Sequence, residues 1–175
     1  MWVHPCSWRK VWAVLMHTCT RKLEFDAAHR LIAHETKCAN VHGHRYVVEV
    51  TCATEALDKV GRVIDFGEIK RIFGGWIDEN LDHTIILNSS DTKLIELCNQ
   101  INKKPVFVVP FEPSAEYLVA FLLKQANEVL KPVGVKVVHM RLYETPNGWA
   151  EASNWKGELT EPQGGHADPL GGWRP

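Results

Sequence analysis

Several things are missing from this 175-residue chain, and each absence narrows the reading. No apolar run approaches the roughly 18 residues of a membrane-spanning helix. The cysteines Cys6, Cys19, Cys38, Cys52 and Cys98 are odd in number and include no C-x-x-C pair, which argues against a disulfide framework and for a reduced, cytoplasmic setting. There is no basic excess: 20 Lys and Arg face 21 Asp and Glu, a net charge of −1. That balance excludes a general nucleic-acid or membrane-surface binder. No internal repeat and no phosphate-cradling glycine loop is present. With 45% hydrophobic and 23% charged residues the chain has ordinary globular composition, and its length suits one domain with a core.

The chain is rich in two residue types, nine His and seven Trp. Trp2, Trp8, Trp12, Trp155 and Trp173 lie near the ends, so the Trp count is not a catalytic signal. Arg9 and Lys10 precede an apolar run from Val11 to Met16, which at six residues, without a small-residue cleavage site, is short for a signal peptide. Residues 1–17 read as an N-terminal extension, with Met16 as an alternative start. Residues 154–175 read as an irregular Gly/Pro-rich tail whose Trp residues suit docking on a neighbouring subunit. The domain proper is expected over 18–153.

Within it, Thr18 to Ala28 alternates, with Leu23, Phe25 and Ala27 on one face. Val41 to Ala53 is a second strand with Tyr46, Val48, Val50 and Cys52 on one face. Asp65 caps a helix with Glu68 three residues on, running to about Leu81 and weakened at Gly74-Gly75. Asp91 to Ile101 suits a short amphipathic helix with Leu94, Leu97, Cys98 and Ile101 on one side, and Val106 to Val109 a short strand. Ser114 starts a long helix ending before Pro132. Val135 to Glu144 and Trp149 to Ala152 are strands around a Pro146-Asn147-Gly148 turn. The order β-β-α-α-β-β, with one inserted segment, implies an α+β domain with an antiparallel sheet.

The chemistry concentrates at His42-Gly43-His44. On a strand these two imidazoles share a face. His29 ends the first strand, and antiparallel pairing brings it beside them. Three neutral imidazoles leave one tetrahedral position open, as in catalytic rather than structural zinc sites. The plain alternative is a turn with two solvent-facing His. Cys38, four residues before His42, is a candidate base or nucleophile, or a small loop residue. Asp82 can orient His83 as a proton shuttle, or merely end a helix. Glu144 can accept two parallel N–H bonds from an amidine-like ring edge, or be an exposed strand-end charge. His34, His139 and His166 fall in no such pattern.

Together these residues resemble the 6-pyruvoyl-tetrahydropterin and 6-carboxy-tetrahydropterin synthase family. The matching pieces are Phe25-Asp26-Ala27-Ala28-His29-Arg30-Leu31, Cys38-x-x-x-His42-Gly43-His44, Ile64-Asp65-Phe66, Leu81-Asp82-His83 with Leu87-Asn88, Pro113-Ser114-Ala115-Glu116 and Tyr143-Glu144-Thr145, in the family's order over residues 18–152. The resemblance implies a tunnelling fold (T-fold) whose subunits form trimers and then a hexamer around a β-barrel, with active sites between subunits. It implies Zn2+ held by His29, His42 and His44, catalysis by Cys38 with Asp82 and His83, and a pterin anchor at Glu144 with Glu116 near the pocket. The implied substrate is 7,8-dihydroneopterin triphosphate. The short Cys38-x-x-x-His42 spacing is similar to the carboxy-forming, queuosine-pathway branch. The pyruvoyl-forming reaction and a non-catalytic zinc-binding scaffold are the alternatives. Arg30, Lys37 and Arg45 are candidate cations for the triphosphate, and no role follows for residues 88–109.

Overall fold

The computed structural model describes residues 16–154, so the readings made for 1–15 and 155–175 lie outside the described residues. Two long strands, β1 (His17–His29) and β2 (His42–Thr54), pair antiparallel along their whole length. Their alternation gives each a buried face: Leu23, Phe25 and Ala27 on β1 and Tyr46, Val48, Val50 and Cys52 on β2 enter the core. β5 (Lys136–Thr145) pairs antiparallel with β2, and β6 (Gly148–Ser153) with β5. A bulge at Thr51/Cys52 lets both Val137 and Val138 be buried.

The sheet is wider than the alternation predicts. Thr84-Ile85-Ile86-Leu87-Asn88 forms β3 (Thr84–Asn88), parallel to β1, and β4 (Phe107–Val109) is parallel to β3. The six-stranded order is β4-β3-β1-β2-β5-β6, antiparallel at one end and parallel at the other. A parallel return to β1 requires a crossover, and the helical segment between β2 and β3 supplies it.

That segment opens where the capping pattern predicts. Asp65 accepts a hydrogen bond from the Gly67 N–H at 2.7 Å and starts α1 (Phe66–Ile69). The helix does not break at the glycines. It widens into a π turn over Lys70–Gly74 and continues as α2 (Gly75–Asn80). Gly74 faces Leu23 of β1, where an added Cβ would sit 3.4 Å from Leu23 Cδ2.

α3 (Thr92–Ile101) forms as expected, but its apolar side does not bury as a unit: Cys98 is buried, whereas Leu97 and Ile101 are 53% and 72% exposed. α4 (Ala115–Leu130) is capped by Ser114, whose hydroxyl accepts from the Tyr117 N–H. It buries Leu118, Val119, Phe121, Leu122, Leu123, Ala126 and Leu130. Asn127 fastens it to β5, donating to the Val137 carbonyl and accepting from the Val137 N–H, each at 3.0 Å. α1, α2 and α4 cover one sheet face, and α3 packs Cys98 against Leu87 of β3 on the opposite one. Along β1 and β2 that second face carries charged pairs, among them Lys22–Glu49 at 2.9 Å and Arg45–Asp26 at 2.8 Å.

Candidate metal centre and active site

Register decides the site. His29 lies directly opposite His42, and Ala27 opposite His44, so the end of β1 and the start of β2 place three imidazoles on one face. Gly43 sits opposite Ala28, and a Cβ there would lie 3.3 Å from the Ala27 carbonyl oxygen. Glycine thus permits the close strand approach that brings the rings together. Their centroids are 4.5 Å (His29–His42), 5.2 Å (His29–His44) and 5.0 Å (His42–His44) apart.

Among the described residues these three form the one group of His, Cys or acidic side chains arranged to hold a metal, with ligand atoms all within 4.8 Å of one another. Two tautomers are fixed by carbonyls, which only accept. His29 Nδ1–H donates to Pro113 O and His42 Nδ1–H to Asn40 O, both at 2.8 Å. Each Nε2 therefore keeps its lone pair, as in metal-binding imidazoles whose other ring nitrogen donates to a carbonyl. His29 Nε2 and His44 Nε2 are buried without a hydrogen-bond partner, as atoms awaiting a cation would be. The chemistry of the donor set fits a borderline cation such as zinc.

Burial holds His29 and His44 below the ordinary imidazole range. For His29, the bond to Pro113 and the nearby Glu144 oppose burial without outweighing it. An unfolded chain binds the proton near 6.5 and folded His29 only at lower pH, so its contribution to stability is present above 6.5 and lost as pH falls below it. The melting temperature of metal-free protein is accordingly expected to fall on acidification from about pH 7.5 to about pH 5.5, and to fall less in His29→Asn. An equal fall in both proteins would contradict this.

Glu144 stands beside the cluster, Oε1 3.5 Å from His29 Nε2. It lines a cleft of about 520 Å³ with His44, Arg45, Lys22 and Tyr143, a volume suited to a small ligand. A second groove joins His44 to His83. His83 Nδ1–H donates to Asp82 Oδ2 at 2.6 Å, and Asp82 Oδ1 accepts from the Asp26 N–H at 2.9 Å. Desolvation pushes the Asp82 carboxyl up, but the Asp26 N–H and His83 together outweigh it and hold it below the usual range. His83 has φ +56°, a left-handed backbone uncommon for a non-glycine residue, and its N–H donates to Asp26 O at 2.7 Å. Lys104 donates to the Asp82 carbonyl, securing the end of α2.

Cys38 lies in a 3-10 turn, Lys37–Ala39, outside the three-His group, with its carbonyl accepting from the Leu31 N–H at 2.9 Å. Glu116 is exposed on the first turn of α4, three residues beyond the Pro113 that holds His29.

Two of the three expected triphosphate cations are already committed to carboxylates. Arg30 makes a two-pronged bond to Asp91, at 2.5 and 2.7 Å, and Arg45 one to Asp26, at 3.1 and 2.8 Å. Lys37 is exposed. Residues 88–109, for which no role followed, have a visible part here through Asp91 and Asn88. Glu112 accepts from the Ile32 N–H at 2.7 Å and from Asn88 Nδ2 at 2.9 Å. It thus grips the start of the loop that carries Cys38. Neither acid stood out in sequence, because single carboxylates carry no spacing signal. The Asp91 side chain is 5% exposed, so Asp91→Ala leaves the Arg30 guanidinium half-housed without its partner. A loss of about 3 kcal/mol is expected, at the low end for a buried pair because Arg30 keeps solvent contact. Urea unfolding measures it, and a change within about 0.5 kcal/mol would contradict it.

A curled α+β sheet with three imidazoles at one strand junction and a ligand-sized cleft beside them defines a tetrahydropterin-synthase-like protein. The sequence profile described as 6-pyruvoyl tetrahydropterin synthase matches residues 18–154, and the chain belongs to this family. Proteins from Rickettsia felis and Rickettsia conorii, both named 6-carboxy-5,6,7,8-tetrahydropterin synthase, are each 41% identical over 140 residues, covering 78% of this chain and 99% of theirs. The Haemophilus influenzae protein of the same name is 31% identical over 142 residues, covering 78% of this chain and 98% of its own. Among solved structures, an uncharacterised protein from Wolinella succinogenes superposes with a TM-score of 0.68 at 25% identity, over 81% of this chain and 99% of that one. The 6-pyruvoyl tetrahydropterin synthase of Caenorhabditis elegans superposes at 0.58 with 21% identity, over 81% and 98%, and attests the shared T-fold.

Proposed function

We propose that the chain is a 6-carboxy-5,6,7,8-tetrahydropterin synthase, a lyase that converts 7,8-dihydroneopterin triphosphate and water to 6-carboxy-tetrahydropterin, acetaldehyde and triphosphate. The observation that carries this reading is the set of Rickettsia relatives of that name, 38–41% identical and matched over 99% of their own length. The Cys38-x-x-x-His42 spacing supports the same branch.

His29, His42 and His44 would hold zinc, which when bound supplies a Lewis acid that acidifies hydroxyls and polarises a developing carbonyl. Glu144, at the cleft wall, accepts the paired N–H groups of the pterin edge and sets the ring's orientation, with Glu116 near the pocket. Cys38 takes and returns protons between side chain and ring. Asp82 fixes the His83 tautomer with Nδ1 protonated, leaving Nε2 to move a proton. The Asp26 N–H keeps Asp82 ionised for that task. The catalytic unit is residues 18–153, assembled as trimers and then a hexamer, in the cytoplasm. The charged pairs along β1 and β2, on the face away from α4, suit a water-lined barrel interior.

The pyruvoyl-forming reaction, which stops after triphosphate elimination, is the second reading, favoured by the profile's own description. A scaffold without turnover has no need of Cys38, Asp82 and His83, all of which are present. Acetaldehyde trapped by alcohol dehydrogenase and NADH tests the choice. One acetaldehyde per triphosphate released is expected, and triphosphate without acetaldehyde would overturn the carboxy-forming assignment.

A further inference from the structure

Four buried side-chain atoms among the described residues have no hydrogen-bond partner: Arg21 Nε, His29 Nε2, His44 Nε2 and Tyr46 Oη. Three of the four belong to one place. Tyr46 follows His44 by two residues on β2 and so shares its face. Its ring meets both imidazoles edge-on, with centroids 5.7 Å from His44 and 5.9 Å from His29, and stacks on Phe25 at 5.0 Å. The residue is 0% exposed, so bulk water does not serve its hydroxyl.

The two nitrogens have a reason to be unpaired, since a metal would take their lone pairs. The hydroxyl has no such reason. An unpaired buried hydroxyl is costly, and phenylalanine would fill the same space and stack on Phe25 without it. A partner that arrives with the metal would satisfy the hydroxyl. A three-imidazole site keeps one position for an oxygen group, and that oxygen has hydrogens and lone pairs to share.

We infer that Tyr46 is a positioning residue of the metal centre, its hydroxyl forming a hydrogen bond to the water that completes the metal's shell only when the site is loaded. This rests on the three-His metal reading. It gives a core tyrosine a task distinct from ligation, from proton transfer and from holding the pterin. A hydrogen bond at that point limits the orientations open to the oxygen, the usual role of groups one step removed from a metal.

Tyr46→Phe tests it through two readouts of opposite sign, neither of them turnover. Metal-free Tyr46→Phe is expected to melt at the same temperature as the parent or higher, because an unpaired polar group has gone. Zinc affinity, measured by chelator competition, is expected to fall about tenfold or more. Lower melting of the metal-free variant, or its failure to fold, would show that the hydroxyl was already bonded in the empty protein and would overturn the inference. Unchanged zinc affinity would overturn it while leaving the three-His reading intact. Parent protein that binds no zinc would remove both.

Discussion

Protein carrying His42→Ala is expected to lose its metal and its turnover together, with the fold retained. Parent protein is expected to hold about one zinc per chain. His42 supplies one of the three nitrogens of the group, and alanine offers none in its place. Loss of groups merely hydrogen-bonded to a ligand costs 10–100-fold in affinity, so loss of a ligand is expected to exceed about 100-fold. The imidazole is half-buried at the start of β2, and the adjoining core residues Tyr46, Val48 and Val50 are untouched by its removal. Melting of the metal-free variant should therefore stay within a few degrees of the metal-free parent. Elemental analysis decides the matter: an unchanged zinc content in His42→Ala would refute the ligand set.

Cys38→Ala is expected to have the converse signature, with metal kept and turnover lost. The thiol stands outside the three-His group, so its removal should leave zinc content at the parental value. General acid–base groups contribute about 10²–10⁴-fold, and a fall of that size in kcat is expected. The backbone of the turn is held through the Cys38 carbonyl, which alanine keeps, so the loop should stay in place. Loss of metal in Cys38→Ala would make the thiol a ligand rather than a proton carrier. Turnover within a factor of about three of the parent would remove it from the chemistry. The two variants thus separate holding the metal from moving the proton.

The three-imidazole face was legible in sequence because its determinants are local. Period-two alternation sets the face of His42 and His44, and antiparallel pairing of two adjacent strands sets His29 opposite His42. The Asp65 and Ser114 caps were legible for the same reason. β3 was not. Thr84 to Asn88 is a short, nearly continuous apolar run, and its place beside β1 depends on a parallel crossover that no local pattern encodes. The Gly74-Gly75 pair marked a local irregularity but not its form, a π turn over Lys70–Gly74 with Gly74 close against Leu23, since glycine spacing reports propensity and not contact between elements. Leu97 and Ile101 fit a helical stripe, yet periodicity does not say what covers it, and among the described residues they stay exposed.

At the site, what was missed is what acts over long range. Arg30 looked free because its partner Asp91 is 61 residues away. Glu112 grips Ile32 across 80 residues, and Asn88 donates to the same carboxylate, which gives residues 88–109 a share in a positioning task that no local pattern announces. Tyr46 looked like one more core aromatic, since its pattern is that of any buried strand residue. Its unpaired hydroxyl appears only in three dimensions. His83's left-handed backbone is equally silent in sequence, although Leu81-Asp82-His83 marked the position.

The most direct test of the account is the mass of the pterin made when purified, zinc-loaded protein is incubated with 7,8-dihydroneopterin triphosphate. The expected product is 6-carboxy-5,6,7,8-tetrahydropterin, two carbons lighter in its side chain than the pyruvoyl compound. Accumulation of 6-pyruvoyl-tetrahydropterin, or unchanged substrate, would contradict it.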